Sequence, residues 1–431
     1  MKLKRAAVLL IFLTSITSLA QQNEVIKLLQ ESAALIQDGK FGDAEPLLRK
    51  SVRTNPENPD AHNLFGIVLD QLGKPAEAER EYRTAIRLNP KSISPRANLG
   101  ILLAKGKRQA EAVEMLESVL RLDPKHPQTI INLGLLYAAM KKYEEAVGLL
   151  KRASDIQPDS SDIKLNLGIS LFQTGSPDDA EKAFVDAMLL APSNAEPVYY
   201  LGLLAFNKNL DENASAYFAK AIELNPKNVS ANFMFGEVLA RHQRYGDAKP
   251  FYEKALRLDP TNPVHHIRLG GMYIYMSDFD SAFQVFQRAA QSFPNVPEIY
   301  YFLAIASRGK GDFGLAIDEV KKSLALKETA DANALLGAML SDGNETADAE
   351  KFLRRAILLN PKHFNSNHDL GRLLIRQKKF AEALPFLQRA SSLIPDNPDV
   401  HYELFLAYSR LKQKTEADRE LAIFKQLSEK Q

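Results

Sequence analysis

The sequence predicts an all-α protein, an α-solenoid of paired helices, and three recurring residues predict it. Alanine returns every 34 residues at Ala44, Ala78, Ala112, Ala146, Ala180, Ala214, Ala248, Ala282 and Ala316, then, after a one-residue slip, at Ala349, Ala383 and Ala417. Twelve positions before it stands a glycine in nine of the twelve windows, Gly66, Gly100, Gly134, Gly168, Gly202, Gly236, Gly270, Gly337 and Gly371, with Ser32 and Ala304 as small substitutes. Twelve positions after it comes a proline, at Pro56, Pro90, Pro124, Pro158, Pro192, Pro226, Pro260, Pro294, Pro361 and Pro395. A fixed period of this length means one short unit repeated, each copy burying its apolar face on its neighbours.

The stretch from Asn132 to Pro158, within a unit that begins at Pro127, shows how a copy folds. Ile130, Leu133, Gly134 and Tyr137 fall at i, i+3, i+4 and i+7, which is one stripe of a first helix. Ala146, Leu150 and Ala153 form the stripe of a second helix. Lys141, Lys142 and Tyr143 supply the polar turn between them, and Pro158 ends the second helix because it has no N–H and disfavours helical geometry at Gln157. A glycine within a helix costs roughly 0.5–1 kcal/mol relative to alanine. Its recurrence predicts a close approach there, against the equally small Ala146.

Counting from the first residue of each unit, small residues at positions 8, 20 and 27 and proline at 32 make the chain resemble the tetratricopeptide repeat family over residues 25–431, as about twelve repeats. The resemblance implies a right-handed superhelix whose first helices line a concave groove for extended peptides or partner helices. The repeats leave no room for a catalytic domain, so a scaffold with no catalysis and no cofactor is expected. The first unit departs from the pattern, with Glu31 and Ser32 where Leu-Gly is usual, as expected of a terminal repeat with one side solvated. The ninth has Glu328 in place of its proline, Ser323 at position 27 and one residue fewer, so a kink or loosened packing is expected near 326–331. In the twelfth, Phe405 and Phe424 occupy positions 8 and 27, and Phe424 is expected to fill the space of a further repeat.

The first twenty residues follow a different logic. Lys2, Lys4 and Arg5 precede an apolar run from Ala6 to Leu13, and Ser18, Leu19 and Ala20 place small residues where a signal peptidase reads. A secretory signal at 1–20, cleaved after Ala20, is expected, and with it a periplasmic or secreted protein. The apolar run is shorter than the roughly 20 residues of a membrane span. Loss of the three basic residues leaves 52 Lys and Arg against 53 Asp and Glu, a net charge of −1, which offers no general attraction for nucleic acid. Cysteine is absent, which excludes disulfides, thiolate chemistry and cysteine-bound zinc. A short signal on a cysteine-free exported chain points to a bacterial host; only in a eukaryotic one would Asn213, Asn228 and Asn344 be glycosylation acceptors.

Other motifs dissolve into the register. Gly309, Gly311 and Gly314 spell GxGxxG and Asp312-Phe313-Gly314 spells DFG, yet both fall in the hairpin turn of repeat nine and neither follows a strand. His363, His368 and Asp369 lack a third ligand at helical spacing, so no metal site is expected.

A surface remains. If positions 4, 7, 8 and 11 of each first helix are buried, positions 2, 6, 9 and 13 point the other way. On that face the early repeats carry Asn98, Asn132 and Asn166 beside Ile101, Leu135 and Ile169. The middle ones carry Tyr200, Met234, Tyr275 and Phe302, flanked by Tyr199, Phe233 and Tyr301, and the late ones carry Arg372, Arg376 and Arg410, offset by Asp369, Asp399 and Glu403. The asparagines resemble the amide ladder of the repeat domain of O-linked N-acetylglucosamine transferase, where side-chain amides pair with a ligand's main chain. The aromatics are expected on a face the core does not use, available to apolar side chains of a protein partner. The carboxylate clamp of chaperone adaptors in this family is not matched, because no repeat has Lys at position 5 with Asn at position 9. Two rivals to the scaffold are a substrate-recruiting or assembly subunit for a separate enzyme or secretion machine, and an RNA-binding pentatricopeptide array, which a 34-residue period and near-neutral charge disfavour.

Overall fold

The computed structural model describes residues 22–429, so the expected signal at 1–20 lies outside the described residues. Among the described residues there are twenty-four helices and no strand, joined as helical hairpins in the predicted register. They form two compact units, one reaching to Leu224 and one starting at Asn225. No helix of the described residues is long and apolar enough to cross a membrane.

Repeat four illustrates the hairpin. Its first helix, α7 (Pro127–Ala139), and its second, α8 (Tyr143–Ile156), are joined by a three-residue turn in which Lys141 takes φ 59°. A left-handed residue recurs at this position, 15, in all twelve repeats: as glycine at Gly39, Gly73, Gly175 and Gly311, and as Lys107, Lys141, Asn209, Gln243, Ser277, Asn344, Lys378 and Lys412 elsewhere. Two backbone bonds hold it, Lys141 N donating to Ala138 O at 2.9 Å and Lys142 N to Tyr137 O at 2.9 Å. These satisfy carbonyls that the end of the first helix would leave unpaired. Gly311 and Asp312, the centre of the apparent glycine and DFG motifs, belong to this turn, with Asp312 Oδ1 capping the following helix at Leu315 N.

The glycine at position 8 makes its close approach to a different residue than the one expected. A Cβ on Gly134 would first meet Leu149 and Leu150, each at 3.2 Å, rather than Ala146. Position 24 is the contact throughout: Gly66 faces Tyr82, Gly100 Leu116, Gly168 Phe184, Gly202 Phe218 and Gly270 Phe286. The rings of Phe184, Phe218 and Phe286 are fully buried, so the missing Cβ is the seat of a core side chain.

A second device joins consecutive repeats. The helix-ending proline exposes its own carbonyl, and the side chain at position 4 of the next repeat donates to it. His62 reaches Pro56 O at 2.9 Å, Arg96 Pro90 O at 2.5 Å, Asn232 Pro226 O at 3.3 Å, His266 Pro260 O at 3.1 Å, Asn367 Pro361 O at 3.1 Å and His401 Pro395 O at 2.8 Å. Position 4 is therefore as much an inter-repeat hydrogen-bonding site as an apolar stripe position.

At the slip in repeat nine the junction is short and tied by polar contacts. α18 (Phe313–Leu326) is followed after three residues by α19 (Ala330–Asp342), whose first turn is capped by Thr329 Oγ1 accepting from Ala332 N at 3.2 Å. Arg355 forks onto the Glu328 carboxylate at 2.7 and 2.6 Å, so the residue that replaces proline ties the junction to the next repeat. In the twelfth repeat Phe424 turns back onto Tyr402 of its own repeat, with ring centroids 5.2 Å apart.

Candidate functional site: the first-helix face

Within each of the two units, first helices pack against their own second helix and the preceding second helix of that unit, and several also against a neighbouring first helix. Burial accordingly spreads beyond positions 7, 8 and 11. On α9 (Ser161–Gln173), Ile163 and Ser170, at positions 3 and 10, are buried with Leu167, Gly168 and Leu171, and the face left over is narrower than a single-stripe helix would leave.

In the first unit the three asparagines are half-buried and lie on that face. Each amide has one end engaged locally. Asn98 Nδ2 donates to Asn63 Oδ1 at 3.2 Å, Asn132 Oδ1 accepts from Gln128 Nε2 at 3.1 Å, and Asn166 Nδ2 donates to the Asp162 carbonyl at 2.8 Å. An amide has two donors and an acceptor oxygen, so each keeps capacity for a further partner. Between α5 (Ser94–Lys105) and α7 opens a pocket of ≈ 280 Å³ with Ile101, Ala104, Leu116, Leu135 and Leu136 as its apolar wall and Asn132 and Lys105 at its polar edge. Ile101, Asn132 and Leu135 were legible from spacing; Ala104 and Leu136, at positions 12 and 10 on the flanks of the stripe, and Leu116, at position 24 of a second helix, were not.

The aromatic set corrects the expectation attached to it. Tyr200 is half-buried and stacked on Phe184 of the preceding repeat, centroids 5.0 Å apart and planes 7° from parallel, with Phe172 edge-on at 6.3 Å. Burial pushes its phenol up to about 12. In the second unit Phe302 stacks in the same way on Phe286, at 5.6 Å and 13°. Position 6, when aromatic, thus lies across position 24 of the repeat before, and these rings are inter-repeat packing rather than a free face. Tyr199 and Tyr301 meet Tyr200 and Phe302 edge-on at 5.4 and 5.2 Å, and Tyr301 is raised to about 12, again by burial. Phe233 is half-buried between Tyr252 at 5.8 Å and His265 at 5.2 Å, and Met234 is half-buried beside it. Tyr275 alone of the set presents its ring to solvent, 75% exposed and stacked on Tyr245 at 5.6 Å and 6°.

The late arginines are also engaged. Arg372 Nη2 donates to Asp369 Oδ1 at 2.8 Å and Arg376 donates to Ser341 Oγ. Burial raises the Asp369 carboxyl above its usual range against the pull of Arg372. Beside them His368 Nε2 lies 3.2 Å from Glu403; burial would lower this imidazole, but the Glu403 carboxylate outweighs it and raises it. His363 caps its helix at Ser366 N and reaches Asp331 at 3.0 Å, so the two histidines read together in the sequence serve separate partners. The basic stripe is partly compensated, as the sequence indicated through Asp369 and Glu403; that Glu403 faces His368 across the repeat junction only the structure shows.

Comparison with known proteins places this architecture. The tetratricopeptide repeat family matches residues 35–106, 102–165, 137–205, 340–401 and 374–423, and a second description of the same repeat matches 199–263 and 272–334. The chain belongs to the tetratricopeptide repeat family, whose arrays generally mediate protein–protein interaction. Among solved structures it is similar in fold to yeast Tom70 (18% identity, 92% of this chain and 97% of that one, TM-score 0.42) and to the APC/C hetero-tetramer Cut9–Hcn1 (14%, 87% and 95%, 0.48). It is similar also to YrrB, described as a repeat protein with an unusual peptide-binding site (22%, 43% and 95%, 0.41). No curated protein matches the chain.

Proposed function

We infer that the protein is an exported, non-catalytic scaffold of the periplasm or extracellular space that holds an extended peptide or a partner helix along its first-helix face. The observation that carries this is the pocket bounded by Ile101, Leu135 and Asn132: an apolar recess sized for a side chain, edged by an amide with unused hydrogen-bonding capacity. An extended ligand presents that pairing, alternating side chains with backbone N–H and C=O groups. A photo-reactive residue at Ala104 should crosslink a protein partner in the native compartment, and Leu135→Asp should abolish the crosslink while leaving the fold intact. Crosslinks arising instead from Leu189, 69% exposed on a second helix, would place binding elsewhere. Export is tested separately: the native protein should begin at Gln21, and an N-terminus retaining Met1 contradicts the signal.

A further inference from the structure

Position 23 of the second helix carries a glutamate in three repeats, and the structure treats one of them differently. In repeats two and twelve Glu81 and Glu420 are each met by the imidazole at position 4 of their own repeat, His62 Nδ1 and His401 Nδ1, at 2.5 Å. In repeat nine the glutamate is Glu319 and position 4 is Tyr300. Glu319 is 5% exposed; its Oε1 accepts from Lys322 Nζ at 2.9 Å, while its Oε2 is buried without a hydrogen-bond partner. A buried carboxylate oxygen left unpaired is costly unless something completes it.

Glu319 lines a pocket of ≈ 230 Å³ between α16 (Phe279–Ser292), α17 (Pro297–Gly309) and α18. The walls are the rings of Phe283 and Tyr300 with Leu303 and Leu315, and the rim carries the amide of Gln287. Both rings already receive cations, Lys310 Nζ lying 4.5 Å from the Phe283 centroid and Lys322 Nζ 5.9 Å from that of Tyr300. The hydrogen bond to Glu319 holds Lys322 charged, and this ion pair offsets the lysine's own charge at the pocket. Aromatic side chains and an unpaired buried carboxylate oxygen in one pocket together select a flat, weakly hydrated cation with directed N–H donors.

We propose that this pocket is a binding site for a guanidinium group, which donates to Glu319 Oε2 between the Phe283 and Tyr300 rings. The same chemistry is offered by a small free guanidine and by an arginine side chain of another protein. The test titrates the full chain, by NMR chemical shift, with agmatine, N-acetyl-arginine methylamide, N-acetyl-lysine methylamide and N-acetyl-norleucine methylamide. Saturable binding of the two guanidines and none of the norleucine compound is expected. Equal affinity of the guanidines points to a small ligand, and preference for the arginine amide to a chain-borne one. Glu319→Gln should weaken binding by about tenfold or more, the range of a lost charge-assisted hydrogen bond. Tyr300→His supplies the partner found in repeats two and twelve and should abolish binding while holding or raising the melting temperature, which keeps the test decisive if Glu319→Gln unfolds. The lysine amide binding as well as the arginine amide, Tyr300→His leaving binding unchanged, or no saturable binding of either guanidine would overturn the assignment.

Discussion

The seat of position 24 on the position-8 glycine makes a graded prediction across repeats that are alike in sequence. A Cβ at Gly270 would lie 2.4 Å from Phe286 Cε2 and 2.5 Å from its Cζ, inside any tolerable contact. Phe286 cannot withdraw, because it is fully buried and covered by the stacked ring of Phe302 at 5.6 Å. At Gly134 the nearest atoms, Leu149 Cβ and Leu150 Cδ2, both stand at 3.2 Å, where a shift of the facing helix by a few tenths of an ångström relieves the contact. Alanine gains roughly 0.5–1 kcal/mol over glycine within a helix, whereas overpacking costs about 1–3 kcal/mol. Gly270→Ala should therefore destabilise by about 1–2 kcal/mol net, and Gly134→Ala should fall within about 0.5 kcal/mol of the parent. Because repeat arrays unfold by neighbourhood rather than all at once, native-state hydrogen exchange should be read beside urea denaturation, with the loss centred on repeats eight and nine. Adding Phe286→Leu makes room for the new methyl, so the double substitution should cost less than the two singles together by about 0.5–2 kcal/mol. Equal losses at Gly134 and Gly270, or strict additivity with Phe286→Leu, would refute the contact as the cause.

The aromatic rings separate in the same terms. Tyr200→Ala removes a half-buried ring stacked between repeats and should cost about 1–3 kcal/mol, while Tyr275→Ala should change stability by less than about 0.5 kcal/mol; similar losses in thermal unfolding for both would contradict the burial seen here. At the turns, Lys141→Gly relieves a left-handed residue and should raise stability by a few tenths of a kcal/mol to about 1 kcal/mol, with no gain at Gly175, where the residue is already glycine. The His62 imidazole gives a pH signature. Burial would lower it, but the Glu81 hydrogen bond and the Pro56 carbonyl raise it above its ordinary value of 6.5. Its stabilisation is thus complete below about pH 6.5, the unfolded value, and fades as pH rises through the higher folded value. The stability gap between the parent and His62→Gln should narrow from pH 6 to pH 8; a gap that widens with pH would have the wrong sign.

The sequence by itself determined the hairpin, its period, the slip by one residue and the small residues at positions 8 and 20, because these are local or strictly periodic and survive in one dimension. Only the tertiary structure decided what those positions touch. A helical wheel assigns one buried face, but α7 is contacted from several sides, so positions 3 and 10 are buried as well and Tyr200 and Phe302 at position 6 become the cover of the ring beneath them. The left-handed position 15 was invisible for a related reason: eight of its twelve residues are not glycine, and it is the pair of backbone bonds closing the first helix that holds them there. Glu319 shows the limit most plainly. In sequence it is one more helical glutamate like Glu81 and Glu420, and only the partner standing opposite, imidazole in two repeats and a phenol ring in the third, leaves its oxygen unanswered. Periodicity says which residues recur, whereas burial and hydrogen bonding depend on which side chain the adjoining helix brings to the same place.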